Sequence, residues 1–307
     1  MRLIAAFMKL VRLPNLFFIA LSQALFQYCI YRPMYEGSIP VNDSLHFIFL
    51  VLASLCIAAA GYIINDYFDI NIDEVNKPKR MVVDKIISRR WAIAWHFMLN
   101  SAGLALTILA LPFAQKWYLI LANMLCMALL WFYSTNFKKQ LLVGNIVISV
   151  LTAWTIMIIF FSKVNLSDAF VTDHRSFFRI AVLYAGFAFI ISLVREAIKD
   201  MEDMPGDAKY NCRTMPIAWG VNATKVYTAV WLVVLIASVT ITLVYMLQSK
   251  WWIPVGYGFA AVIIPSAYVL LKLKPAVTTG DYRRLSNITK LIMLTGILSM
   301  LFFCFDI

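Results

Sequence analysis

Apolar runs of about 17 to 25 residues, each long enough to carry a helix across the roughly 30 Å hydrocarbon core of a bilayer, recur along this entire chain of 307 residues. They lack the two-residue alternation that a membrane barrel strand requires. The chain is therefore expected to be an all-α, polytopic membrane protein. Composition agrees: 62% of residues are hydrophobic and 14% charged, against about 25% charged in a soluble domain. Water cannot solvate a surface so poor in charge, so lipid must cover much of it. No polar stretch is long enough for a separate soluble domain, and residues 1–307 are expected to form one transmembrane domain.

Nine spans are predicted, over 14–31, 45–64, 91–111, 117–133, 141–161, 178–198, 224–247, 252–272 and 287–305. Pro33, Pro40, Pro112, Pro205-Gly206 and Lys274-Pro275 punctuate them, as residues that break helices should. Ahead of the first span, MRLIAAFMKLVRLPNLFF mixes Lys and Arg with apolar residues at helical spacing, which predicts an interfacial amphipathic helix. No small-x-small cleavage site follows it.

Most of the 27 Lys and Arg fall on one set of alternate segments. The positive-inside rule then places the N-terminus in the cytoplasm and, with an odd number of spans, the C-terminus outside. The net charge of +11 is in part this topology signal and calls for no nucleic-acid partner; basic charge on one face also attracts anionic substrates and lipid headgroups. The expected location is a bacterial or archaeal cell (inner) membrane. Cys29, Cys56, Cys126, Cys212 and Cys304 form no CxxC pair, so they are expected to pack as small hydrophobes rather than form disulfides or a zinc site. His46, His96 and His174 are scattered away from any acidic cluster.

The acids are not scattered. The second span ends in Gly61-Tyr-Ile-Ile-Asn65-Asp66-Tyr-Phe-Asp69-Ile-Asn-Ile-Asp73, and the sixth in Arg195-Glu196-Ala-Ile-Lys199-Asp200-Met-Glu202-Asp203-Met-Pro205-Gly206-Asp207. Asp66, Asp69 and Asp73 repeat the i, i+3, i+7 spacing of Asp200, Asp203 and Asp207, which on a helix shares one face. Pro205 is expected to end or bend the second helix, so that Asp207 approaches from a loop. Like charges so close repel, and near lipid each costs up to about 3 kcal/mol. A counter-ion offsets that cost. Mg²⁺ takes oxygen ligands, keeps several waters, and bridges one or two carboxylates to substrate phosphates. Two facing clusters could hold Mg²⁺ around a diphosphate, with Lys77, Arg80, Arg195, Lys199 and Arg213 neutralising the remaining phosphate oxygens.

Asn65-Asp66-x-x-Asp69-x-x-x-Asp73 and Lys199-Asp200-x-x-Asp203-x-x-x-Asp207 resemble the two aspartate-rich motifs of the UbiA superfamily of intramembrane prenyltransferases. The resemblance extends to Asn76-Lys77-Pro78-x-Arg80, Tyr133-Ser134 with Lys138, and Gly144-Asn145, with Met81 replacing a frequent proline. Arg195-Glu-x-x-Lys199-Asp200 followed by Thr214-Met215-Pro216 is similar to the geranylgeranylglyceryl-phosphate geranylgeranyltransferase branch. The resemblance implies nine helices around a central cavity with a lateral opening to lipid. It also implies Mg²⁺-dependent transfer of a prenyl group, geranylgeranyl in that branch, from its diphosphate to a lipid acceptor such as geranylgeranylglyceryl phosphate. Transfer to an aromatic quinone precursor of the 4-hydroxybenzoate or naphthoate type is the alternative acceptor chemistry. A transporter is the rival from another class, although its acids would gather at the bilayer midplane between broken helices.

Under this reading Asp66, Asp69, Asp200 and Asp203 are the catalytic carboxylates, and Asp73 and Asp207 complete the metal set. Asn15 is either a contact to the diphosphate or a helix cap. Asn65 heads the first motif. Tyr133 and Lys138 either close over substrate or are ordinary interfacial residues. Asn145 either contacts substrate or bonds between helices.

Overall fold

The computed structural model describes residues 2–78, 81–168 and 174–306. Nine helices among the described residues are long and apolar enough to cross a membrane: Leu13–Met34, Asp43–Phe68, Arg89–Ala110, Ala114–Thr135, Val143–Lys163, Arg175–Lys209, Val221–Gln248, Trp252–Leu273 and Thr279–Phe305. They are called the first to ninth spans below. The protein is an integral membrane protein with the nine spans expected. The only β pairing among the described residues is an isolated bridge between Val83 and Ile87.

The second span packs against the third and fourth, and the sixth against the fifth, seventh and ninth. The first span touches the second, fifth and ninth and so closes the bundle into a ring. Aromatic and aliphatic side chains fill its interior, with Phe26, Phe160 and Phe177 fully buried and stacked or tilted against one another. Ile241, Leu271 and Ile253 lie largely exposed on outward faces, as lipid contact requires.

The helix Arg2–Leu10 precedes the first span. It buries Ala6 and Leu10 while Leu3, Ile4 and Met8 stay exposed, and Phe7 meets Trp95 edge-on at 4.7 Å. This matches the expected amphipathic lead. Arg12 joins it to the first span in the left-handed conformation, at φ 52° and ψ 56°. That geometry costs a residue with a Cβ about 1 kcal/mol or more, so the corner at Arg12 must be held by its contacts.

Cys29 and Cys304 overturn one expectation: they form a disulfide, with Cα atoms 4.5 Å apart. They lie 275 residues apart in sequence, so no local pattern marked the pair. The bond ties the ends of the first and ninth spans at the pole opposite the acidic motifs. Cys56, Cys126 and Cys212 remain free, as expected. At the same pole Lys163 pairs with Asp43, which also accepts from Gln27 at 2.7 Å. Lys116 donates to the carbonyls of Phe161 and Val164, so each buried cation there has oxygen partners.

Candidate active site

The first motif sits where two helices meet. The second span ends at Phe68, Asp69 is the junction at φ −91° and ψ 1°, and Ile70–Asn76 forms a separate short helix. The expected single helical stripe is therefore broken at its middle carboxylate. Backbone bonding nearly continues across the break, with Asp69 N–H donating to the Asn65 carbonyl and Asp73 N–H to that of Asp69. This keeps Asp66, Asp69 and Asp73 at one end of the bundle.

The second motif departs from expectation in the other direction. Its helix does not end at Pro205 but runs unbroken from Arg175 to Lys209, so Asp207 is helical and does not approach from a loop. Asn76, the last residue of the short helix, supplies the reason. Its Nδ2 donates to the Asp203 carbonyl at 2.8 Å and its Oδ1 accepts from Gly206 N–H at 2.8 Å. One side chain thus hydrogen-bonds the backbone on both sides of a proline that cannot donate. The same contacts dock the first motif on the second.

Cations and amides then distribute the carboxylates. Arg12 donates to Asp66 at 2.7 Å, Lys138 pairs with Asp69, and Lys77 reaches across to Asp203 at 2.5 Å. Asn145 Nδ2 donates to Asp200 at 2.9 Å, and Asn65 Nδ2 to Asp69 at 2.8 Å. Asn145 therefore makes the helix–helix bond that was one of its two expectations, and aims it at a motif carboxylate. Arg195 and Lys199 both bind Glu196, at 2.8 and 3.3 Å. Tyr133 lies within electrostatic range of Glu196, Asp69, Asp200 and Arg12. Asp207 feels Asp203, Asp69, Lys77 and Lys138.

Asp73 carries the clearest electrostatic signature outside the spans. Burial first, then the charges of Asp69 and Asp66, push its carboxyl up to about 6 against the pull of Lys77 and Arg12. Arg12 is held above its ordinary value: burial acts against the charge, and Asp66 more than offsets it.

Asn15 is not the helix cap of its second expectation. Its side chain makes no capping bond; its Oδ1 accepts from Lys290 at 3.2 Å. Arg213 stands apart, its side chain exposed and its backbone N–H bonded to the Lys139 carbonyl. Arg80 lies outside the described residues. Met81 lines a crevice with Val82 and Val83 beside Asp66 and Asp73. Arg12, Tyr62, Glu196 and Lys290 belong to this neighbourhood yet were not singled out as site residues from the sequence, and Asn76 was noted only as the head of the Asn76-Lys77-Pro78-x-Arg80 stretch. Of the first four, only Arg12 and Glu196 carried a signal, by adjacency to Asn15 and to the second motif.

A divalent cation suits the donor set. Asp203 Oδ1 and Asn65 Oδ1 are buried with no hydrogen-bond partner, a costly state for an acceptor that only a donor or a cation relieves. Among the described residues no three His, Cys, Asp or Glu side chains draw together into an all-protein cage. Mg²⁺ does not need one, since it retains waters and shares its sphere with substrate phosphates.

The family model described as the UbiA prenyltransferase family matches residues 5–288. The chain is 31% identical over 234 residues to digeranylgeranylglyceryl phosphate synthase of Methanospirillum hungatei, covering 76% of this chain and 74% of that one. It is 31% identical over 248 residues to the synthase of the same name from Methanothermobacter thermautotrophicus, covering 78% and 80%. A UbiA homolog from Archaeoglobus fulgidus, solved bound to DMAPP and Mg²⁺, shares the fold at a TM-score of 0.59 and 13% identity, over 96% of this chain and 98% of that one. A structure described for digeranylgeranylglyceryl phosphate synthase in membranes aligns at a TM-score of 0.65 and 22% identity, over 98% of this chain and 99% of that one. With nine membrane helices and two facing aspartate motifs, the chain belongs to the UbiA prenyltransferase family and is a prenyltransferase.

Proposed function

We propose that this enzyme transfers a geranylgeranyl group from its diphosphate to the free hydroxyl of geranylgeranylglyceryl phosphate. The names of its relatives support the acceptor, and the convergence of six aspartates with Arg12, Lys77 and Lys138 at one pole supports the donor. The observation that carries the donor site is the Lys77–Asp203 ion pair, which joins the two motifs across 126 residues of sequence.

Asp66, Asp69 and Asp73 on one side, and Asp200, Asp203 and Asp207 on the other, would hold Mg²⁺. When bound, the metal supplies charge neutralisation for the departing diphosphate. Lys77, Lys138 and Arg12 leave their carboxylates to take phosphate oxygens, an exchange of one charge-assisted bond for another. The C1–O bond of the donor breaks with cationic character at its allylic carbon, and the apolar walls of the bundle exclude water that would capture it. The acceptor hydroxyl attacks that carbon and releases its proton. Asp200, whose carboxylate the Asn145 amide positions, is assigned to take it.

The site and the N-terminus are assigned to the cytoplasm, in the cell membrane of an archaeon or bacterium. Besides the basic segments, the Cys29–Cys304 disulfide supports this orientation: it lies at the opposite pole, and disulfides persist on the oxidising side of a membrane. The whole of 1–307 acts as one domain in this assignment.

The test is to incubate purified protein with Mg²⁺, geranylgeranyl diphosphate and either geranylgeranylglyceryl phosphate or 4-hydroxybenzoate, and to identify products by mass. The diether phosphate should form and the prenylated aromatic should not. The reverse pattern would move the assignment to an aromatic acceptor.

A further inference from the structure

Lys290 is the cation that the donor site does not use. It lies three residues into the apolar run 287–305 of the ninth span and is half-buried. Arg12, Lys77, Lys138, Lys163 and Lys199 each hold a carboxylate. Lys290 forms no ion pair among the described residues: its Nζ donates to Asn15 Oδ1 at 3.2 Å and lies 5.3 Å from the Phe18 ring centre. An ionisable side chain within a span is costly and marks function more often than packing. An ammonium also has three donors, and one neutral amide and a ring face leave most of that capacity unused.

Its surroundings define a ligand. Asn15 lies near the Tyr62 hydroxyl, Arg12 covers the Tyr62 ring at 5.1 Å, and Arg12 holds Asp66. Lys290 is thus linked through three side chains, Asn15, Tyr62 and Arg12, to Asp66 of the first motif. Arg195, which donates to Glu196 in this structure, lies within electrostatic range of Lys290, so a second positive charge is close by. Beside Phe18 an apolar groove of about 530 Å³ runs along Leu13, Pro14, Phe17 and Ala20 to Leu55, within the usual size of a lipid or small-molecule site. A cationic head connected to the motifs, with an apolar trough beside its Phe18 partner, matches a lipid with a phosphate monoester headgroup.

We propose that Lys290, oriented by Asn15 and reinforced by Arg195, binds the phosphate of the acceptor lipid, and that the groove along the first span takes its isoprenoid chain. The inference rests on the phosphate-bearing acceptor proposed above and assigns it a site distinct from the diphosphate site. The acceptor's free hydroxyl is on the carbon next to the phosphate-bearing one. Anchoring the phosphate at Lys290 therefore carries that hydroxyl toward the motifs. Lys290 is accordingly a specificity determinant: it favours an anionic lipid over its dephosphorylated counterpart.

Wild type, Lys290→Met and Lys290→Arg, each checked for intact folding by gel filtration, are compared in two measurements. In turnover, Lys290→Met should raise the acceptor KM by about ten- to a hundredfold, the worth of hydrogen bonds to a charged group. The donor KM should stay within about twofold, and Lys290→Arg should restore most of the acceptor KM. Wild type should prefer geranylgeranylglyceryl phosphate to geranylgeranylglycerol, and Lys290→Met should lose that preference. In the second measurement, without donor, the phosphate lipid should raise the melting temperature of wild type but not of Lys290→Met. A rise in donor KM alone, or an unchanged preference between the two lipids, overturns the assignment. Absence of turnover by wild type with any glycerol phosphate lipid would instead remove the proposed reaction, and the donor-free melting shift would still decide the site.

Discussion

The side-chain amide of Asn76 bridges Pro205 on the sixth span, donating to the Asp203 carbonyl and accepting from Gly206 N–H, each at 2.8 Å. A Cβ at Gly206 would meet that amide at 2.5–2.6 Å, closer than such atoms pack, so the amide would have to leave. Asn76→Ala and Gly206→Ala should therefore act alike. Each removes two hydrogen bonds worth about 1 kcal/mol apiece and loosens the registry of the two motifs. Both variants should insert normally, melt lower and lose turnover, and the double variant should be little worse than either alone. Thermal melts and single-turnover assays on the three variants check this.

The metal motifs should fail singly. Asp66→Ala and Asp200→Ala are each expected to lower turnover by about a thousandfold while expression and gel-filtration profile stay as in wild type. Retained activity in both would remove the carboxylates from the chemistry.

The pH dependence has a definite sign. The Asp73 carboxyl is raised to about 6 in the folded protein by burial and by Asp69 and Asp66, above its unfolded value of about 3.9. The native state binds this proton more tightly, so the stabilisation is fully present below the unfolded value and lost as pH rises through about 6. Mg²⁺ competes with the same proton. The Mg²⁺ concentration for half-maximal activity should thus climb as pH falls below about 6, and Asp73→Asn should flatten that climb. A Mg²⁺ titration at several pH values measures both.

Glu196 gathers Arg195 and Lys199 on one buried carboxylate. Removing it leaves two cations facing each other near lipid, and breaking a buried pair costs about 3 kcal/mol or more. Glu196→Ala should lower the melting temperature more than Arg195→Ala does, as thermal unfolding in detergent would report.

The parts legible in the sequence were those written in short-range periodicity. Nine apolar runs gave the spans, and a repeated i, i+3, i+7 spacing gave both motifs. What stayed hidden depends on distant partners. Pro205 reads as a helix stop until Asn76, about 130 residues earlier, braces the helix around it through the Asp203 carbonyl and Gly206 N–H. Cys29 and Cys304 meet only because the first and ninth spans close the ring. Arg12 takes a left-handed backbone that its own type does not advertise. Lys290 counted as one more flanking charge, because hydropathy cannot say which way a lysine points or that Asn15 waits for it.

Diphosphate release measures the central claim, that the paired motifs grip a prenyl diphosphate through Mg²⁺ for transfer to a lipid hydroxyl. Purified protein should release diphosphate from geranylgeranyl diphosphate one-for-one with formation of the diether phosphate. Release should stop with EDTA, resume with Mg²⁺, and fall about a thousandfold in Asp66→Ala and Asp200→Ala. Equal release and transfer in EDTA, or in either variant, would contradict it.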